Sequence, residues 1–195
     1  MPEPVLVALL AAGASRRLGT PKQLVTIDGM PLVRRQALMA LAAAIGPVTV
    51  IVGSRADLSR DAIGDLPVDI RVNTCWSEGM ASSLRAAASA GLEHHAAALM
   101  ILPCDLYRLV ASDLRQLHRA WSDAPDIACL ARFDRHLGPP TILPSRLFPR
   151  LDMLVGDVGA RSIVTGPRES MRAVDLPGAA FDIDTPEDLP PLMSR

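Results

Sequence analysis

Apolar positions along the chain switch repeatedly between two spacings. Residues 5–10 are continuously apolar, as in a strand buried on both faces of a parallel sheet. Residues 30–45 carry a helical pattern, with Pro31 near the first position and Gly46-Pro47 closing it. The β-branched run 48–52 predicts a second strand, 56–63 a short helix, and the alternating run 68–72 a third strand. A polar loop around Trp76 leads to a helix over 81–92 with Ser82 and Ser83 in its first turn. Residues 96–102 form the most apolar run and predict a central strand that ends at Pro103-Cys104-Asp105.

The second half continues with a helix over 112–121 capped by Ser112, a strand over 126–131, and a polar bend to Gly138-Pro139-Pro140. A short strand over 141–143 and a helix over 147–154 follow. A second glycine-rich turn, Gly156-Asp157-Val158-Gly159-Ala160-Arg161, opens a helix ending near Gly166, and 171–174 suits an edge strand. Residues 181–184 are extended, and a C-terminal helix starts with Thr185 as N-cap and Pro186 at its first position. Strands alternating with helices imply parallel crossovers and an α/β fold.

Composition narrows the class. A length of 195 residues predicts one domain, 1–195, with a full core that needs no disulfide or metal staple. Aromatics are only 3% against 49% apolar residues overall, so alanine, leucine and valine must supply close helix-on-sheet packing. A net charge of −1 gives no support for binding nucleic acid or an anionic membrane. Cys75, Cys104 and Cys129 are odd in number and far apart, which suits a reducing compartment, and the four histidines lie at no zinc-site spacing. With no leader pattern and no apolar run of about 18 residues, the expected location is the cytoplasm.

Candidate chemistry concentrates where the first strand ends. Ala11-Ala12-Gly13 leaves little side chain to obstruct the backbone, and Arg16, Arg17 and Lys22 place three cations within seven residues, so an anion, phosphate first, is the expected guest. Two familiar phosphate patterns fail. Five residues separate Gly13 from Gly19, which breaks both the dinucleotide fingerprint and the P-loop spacing, and Lys22 comes three positions after Gly19. Asp105 puts a carboxylate just past a strand end, where open α/β sheets bind ligands.

The pattern that does match, L-A-A-G-x-S-x-R-x-G-x-x-K over residues 10–22, resembles the signature of Rossmann-like nucleotidyltransferases, and within them the molybdenum cofactor cytidylyltransferase group. Gly79-Met80-Ala81-Ser82-Ser83-Leu84, the 156–161 turn and Asp182-Ile183-Asp184-Thr185-Pro186-Glu187-Asp188 are similar to further motifs of that group, in the same order. The resemblance implies a three-layer α/β sandwich around a mostly parallel sheet. It departs after Asp105, where Leu106-Tyr107 stands in place of a residue and a proline, and this touches specificity rather than the carboxylate.

By the same resemblance Leu10, Ala11, Ala12, Gly13, Ser15, Arg17, Lys22, Ser82 and Ser83 bind the nucleotide. Arg17, Lys22 and Asp105 act in catalysis, and Mg²⁺ sits on Asp105 with Asp182 or Asp184; alternate residues of a strand face opposite ways, so one of the two reaches the metal, and the resemblance favours Asp182. The implied reaction moves CMP from CTP to a phosphorylated acceptor such as molybdopterin, and pyrophosphate leaves. An ionised acceptor phosphate has no proton to give up, so no His or Cys base is required. A sugar or alditol phosphate acceptor, or nucleotide binding without turnover, are the alternatives. Each residue also has an ordinary explanation: Arg17 and Lys22 as solvated charges, Asp105 as a helix-start charge, Asp157 with Arg161 as a local pair, and Trp76, Met80 and Cys104 as packing.

Overall fold

The computed structural model describes residues 4–15, 17–164 and 170–189. In chain order the strands are β1 (Val5–Ala11), β2 (Thr26–Ile27), β3 (Met30–Pro31), β4 (Val48–Val52), β5 (Asp69–Val72), β6 (Ala98–Pro103), β7 (Ala128–Phe133), β8 (His136–Pro144) and β9 (Met171–Asp175). The helices are α1 (Leu32–Ala43), α2 (Ala56–Ile63), α3 (Met80–Glu93), α4 (Ala111–Ser122), α5 (Phe148–Asp152) and α6 (Arg161–Val164). Seven strands form one sheet in the order β5-β4-β1-β6-β8-β7-β9, and β2 with β3 forms a separate hairpin. Within the seven-stranded sheet, among the described residues, only the β6–β8 and β7–β8 pairings are antiparallel, so the sheet is mostly parallel, a Rossmann-like α/β arrangement.

Helices cover both faces because β1 is apolar on both. Val5, Val7 and Leu9 face a core shared with α1, α2 and α4, whereas Leu6 and Ala8 face one shared with α3, α5 and α6. On the second side α3 is built of small residues, and Gly91 admits the Phe148 ring: a Cβ there would lie 2.8 Å from it. β1 lies between β4 and β6, and the three strands point the same way. The chain moves to one side of β1 for β4 and β5 and crosses to the other for β6, which opens a crevice at their C-terminal edge.

Several boundaries differ from the sequence reading, each for a local reason. Residues 30–31 belong to a hairpin whose Asp28-Gly29 turn has both φ angles positive, so α1 starts at Leu32 rather than inside Met30-Pro31. α1 ends before Gly46-Pro47, where Ala44 takes the left-handed conformation. Ser112 is not the N-cap of α4: Val110 holds that place, and its N–H donates to the Asp113 carboxylate. The bend at Gly138-Pro139-Pro140 is strand, because the β7–β8 register jumps from Leu130↔Thr141 to Ala131↔Gly138 and leaves both prolines out of the ladder.

Residues 181–184 are not a strand, and the turn at Pro186–Asp188 is a single 3-10 turn, although Thr185 and Pro186 take the expected positions. The continuation of that helix beyond 189 and the end near Gly166 lie outside the described residues. Among the described residues no helix is long and apolar enough to cross a membrane.

Gly46 is needed for close approach. A Cβ at this position would lie 2.0 Å from the Val5 carbonyl oxygen, so Gly46→Ala must displace the start of β1. It should lower stability by about 1–3 kcal/mol in denaturant titration, and an unchanged midpoint would show that β1 shifts freely.

Candidate functional site

The crevice holds a cleft of about 560 Å³, within the size range of small-molecule sites. Its first wall is the loop after β1. Ser15 shapes it with φ +52 and accepts the Leu18 and Gly19 amides on its carbonyl at 3.1 and 3.2 Å, while its Oγ accepts the Lys22 N–H at 2.8 Å. Gln23, 1% exposed, donates to the carbonyls of Gly13 at 3.3 Å and Ser54 at 3.0 Å, which ties the loop to the end of β4. Gly13 has open space where a Cβ would be, so packing does not demand glycine there.

The second wall is the start of α3, and its backbone is already occupied. The Met80 and Ala81 amides donate to Asp157 Oδ1 at 3.3 Å and the Gly156 carbonyl at 2.9 Å. Gly79, at φ 121, lets this loop approach: a Cβ would lie 2.5 Å from Asp157 Oδ1. Arg85 fastens the same loop by donating to the Leu154 carbonyl at 2.7 Å while paired with Glu78. The Met80 and Ala81 amides at this helix start are therefore not free for a ligand, which leaves recognition on this wall to side chains.

The two serines differ. Ser82 does not line the cleft, and its hydroxyl donates to the Gly79 carbonyl at 2.9 Å while accepting from Asn73 at 2.8 Å. Ser83 lines the cleft and accepts from Asn73 at 3.1 Å. Trp76, Met80, Cys104, Pro139 and Asp157 border the same space.

The third part is charged. Lys22 Nζ lies 2.8 Å from Asp105 Oδ2 and 2.7 Å from Asp184 Oδ1, and Arg17 Nη2 lies 2.8 Å from Asp184 Oδ2. Burial pulls the Lys22 ammonium pKa down, but the attraction and hydrogen bonds of Asp105 and Asp184 outweigh it and leave it raised. The Lys22 hydrogen bond holds Asp184 below the ordinary carboxylate range. Asp182 is pushed up by burial and by repulsion from Asp105 and Asp184. Asp182 and Asp184 both line the cleft, contrary to the strand-based expectation that one would turn away, because the segment is irregular and pinned by the fully buried Ile183.

The structure thus brings Leu10, Ala11, Ala12, Gly13, Ser15, Arg17, Lys22, Ser83, Asp105, Asp182 and Asp184 to one cleft and leaves Ser82 behind it. The sequence does not single out Asn73 or Gln23, since a lone amide in a polar loop or beside a lysine carries no periodic signal. The carboxylates suit a hard divalent cation, and a cation already sits between two of them as the Lys22 ammonium. Among the described residues no three His, Cys, Asp or Glu side chains stand close enough to hold an ion alone, so such a cation would rely on ligand oxygens and water as well.

A family model described as MobA-like NTP transferase domain matches residues 7–175. The chain belongs to this family. No curated protein matches it significantly. Among solved structures, Rv0371c from Mycobacterium tuberculosis H37Rv is 25% identical, with 96% of each chain covered and a TM-score of 0.82. Another structure of Rv0371c is a complex with manganese, at 22% identity, 98% and 100% coverage and TM-score 0.78.

CMP:2-keto-3-deoxy-manno-octonic acid synthetase complexed with CTP shares the fold at 13% identity, 95% coverage of both chains and TM-score 0.76. Molybdopterin-guanine dinucleotide biosynthesis protein A from Archaeoglobus fulgidus does so at 16% identity, 94% coverage of both and TM-score 0.69. As a MobA-like domain, the chain is a nucleotidyltransferase-superfamily member.

Removing Lys22 should leave Asp105 without its counter-charge and Asp184 with Arg17 alone. Lys22→Met is expected to lower the stability of the ligand-free protein by about 1–3 kcal/mol, read from denaturant midpoints. Stability equal to the unmodified protein would mean that the ion pairs contribute nothing net.

Proposed function

We propose that the cleft transfers CMP from CTP to a phosphorylated acceptor, molybdopterin or molybdenum cofactor being favoured, with release of pyrophosphate. The observation that carries this is the convergence of the first-loop cations Arg17 and Lys22 with Asp105, Asp182 and Asp184 in one cleft walled by Ser83. The MobA-like family and the molybdopterin-related neighbour support the acceptor class, and the CTP complex of a structural neighbour together with Leu10-Ala11-Ala12-Gly13 supports the nucleotide.

In this reading an acceptor phosphate oxygen bonds to the α-phosphorus of CTP. The bond from that phosphorus to the bridging oxygen breaks, and pyrophosphate keeps the electron pair. The chain supplies position and charge rather than a covalent intermediate. Lys22 and Arg17 turn from Asp184 to the triphosphate and stabilise the charge that accumulates on the leaving oxygens. Asp105 with Asp182 or Asp184 would hold Mg²⁺, which neutralises phosphate charge; the manganese complex of Rv0371c supports a divalent ion in this fold.

The test is pyrophosphate release from CTP, GTP, ATP and UTP with Mg²⁺, offered with molybdopterin or with a sugar or alditol phosphate. CTP with molybdopterin should be turned over fastest, and Asp105→Asn should reduce the rate by about 10²-fold or more. Turnover only with a sugar or alditol phosphate would overturn the acceptor assignment. Nucleotide binding without pyrophosphate release under any combination would overturn the enzymatic reading.

A further inference from the structure

We propose that Asn73 is a positioning residue that fixes the Ser83 hydroxyl as a hydrogen-bond donor towards the base of the bound nucleotide. This rests on the nucleotide reading of the cleft and adds the polarity of its base contact. Asn73 follows β5 and is 6% exposed. Its amide has no freedom to flip, because the Cys75 backbone N–H donates to Oδ1 at 2.9 Å and only an oxygen can accept it. Nδ2 must therefore face the two serines, 2.8 Å from Ser82 Oγ and 3.1 Å from Ser83 Oγ.

Each serine then accepts one Asn73 proton and has one proton to place. Ser82 gives its own to the Gly79 carbonyl at 2.9 Å. Ser83 Oγ has no acceptor among the described residues, and Ser83 lines the cleft, so its proton is offered to whatever occupies that space. The neighbouring Met80 and Ala81 amides are taken up by the 156–157 loop, which leaves this hydroxyl as a donor at the start of α3. A donor here selects a base edge presenting a carbonyl or an unprotonated ring nitrogen, as cytosine does, and disfavours an exocyclic amine at the same point.

Asn73→Asp reverses the polarity with little change of shape. The carboxylate still accepts from Cys75 but also accepts from the serines, so it takes the Ser83 proton away from the cleft. The experiment is a double-mutant cycle of Asn73→Asp and Ser83→Ala in the full chain. Calorimetric titration with Mg²⁺ uses whichever of CTP, UTP, GTP or ATP the unmodified protein binds most tightly.

Each single change should weaken binding by about 3- to 10-fold, and the double variant should be no weaker than either. Ser83→Thr, which keeps the hydroxyl, should retain affinity while Asn73 is present and lose it with Asn73→Asp. If thermal melts show that Asn73→Asp does not fold, Asn73→Leu, which removes the donor without adding charge, carries the cycle. Losses that multiply, or no loss on Ser83→Ala, would overturn the assignment to Asn73 alone. No binding of any of the four nucleotides by the unmodified protein would overturn the nucleotide reading and this inference with it.

Discussion

One ammonium group holds together three segments that are remote in the chain. Lys22 Nζ reaches Asp105, 83 residues away, and Asp184, 162 residues away, at 2.8 and 2.7 Å. Without it, two carboxylates would face each other at the mouth of a partly buried cleft, with Asp182 beside them. Burial, and after it repulsion from Asp105 and Asp184, holds the Asp182 carboxyl above its ordinary range even with Lys22 in place. The lysine thus serves as counter-ion to the acids, and it is the kind of charge that the proposed triphosphate would need. Its placement depends in turn on Ser15, whose hydroxyl accepts the Lys22 amide and starts the 3-10 turn that carries the side chain.

The sheet explains why these segments meet at all. Loops that leave β1 and β6 emerge at the same edge because the strands are parallel neighbours in register, Leu10 opposite Pro103. The antiparallel β8 beside β6 brings Pro139 to the same cleft from the opposite chain direction, and the bulge that excludes the two prolines from hydrogen bonding is what allows them there. Ile183, fully buried, anchors the acidic segment against the first core, so the two aspartates flank an apolar pin.

Much of this was legible in the sequence for a definite reason. Both-face burial writes β1 and β6 as unbroken apolar runs and β4 as a β-branched one, and their alternation with helices implies parallel crossovers. The ordered motifs from residue 10 to residue 188 brought the first loop, the α3 start and the acidic segment to notice together. What was not legible depends on long-range register or on single polar side chains. The continuity of β8 through Gly138-Pro139-Pro140 required knowing that β7 would skip two partners. The equal access of Asp182 and Asp184 required knowing that their segment is irregular. Asn73 and Gln23 work through one amide each, and nothing in their neighbours' pattern marks them.

The two halves of the cleft are supported by different physics, and the difference suits different tasks. The α3 wall is locked by backbone hydrogen bonds, by Gly79 pressed against the 156–157 loop, and by a buried amide that cannot flip. Such a wall discriminates by shape and hydrogen-bond polarity, which demand placement to a fraction of an ångström. The acidic half is held by side-chain ion pairs, with Arg17 largely exposed and Lys22 on a flexible stem. Those pairs can exchange partners without moving the backbone. On the nucleotide reading proposed above, base selection would fall to the rigid wall, and charge handling to the side whose contacts can be remade as phosphates arrive and leave.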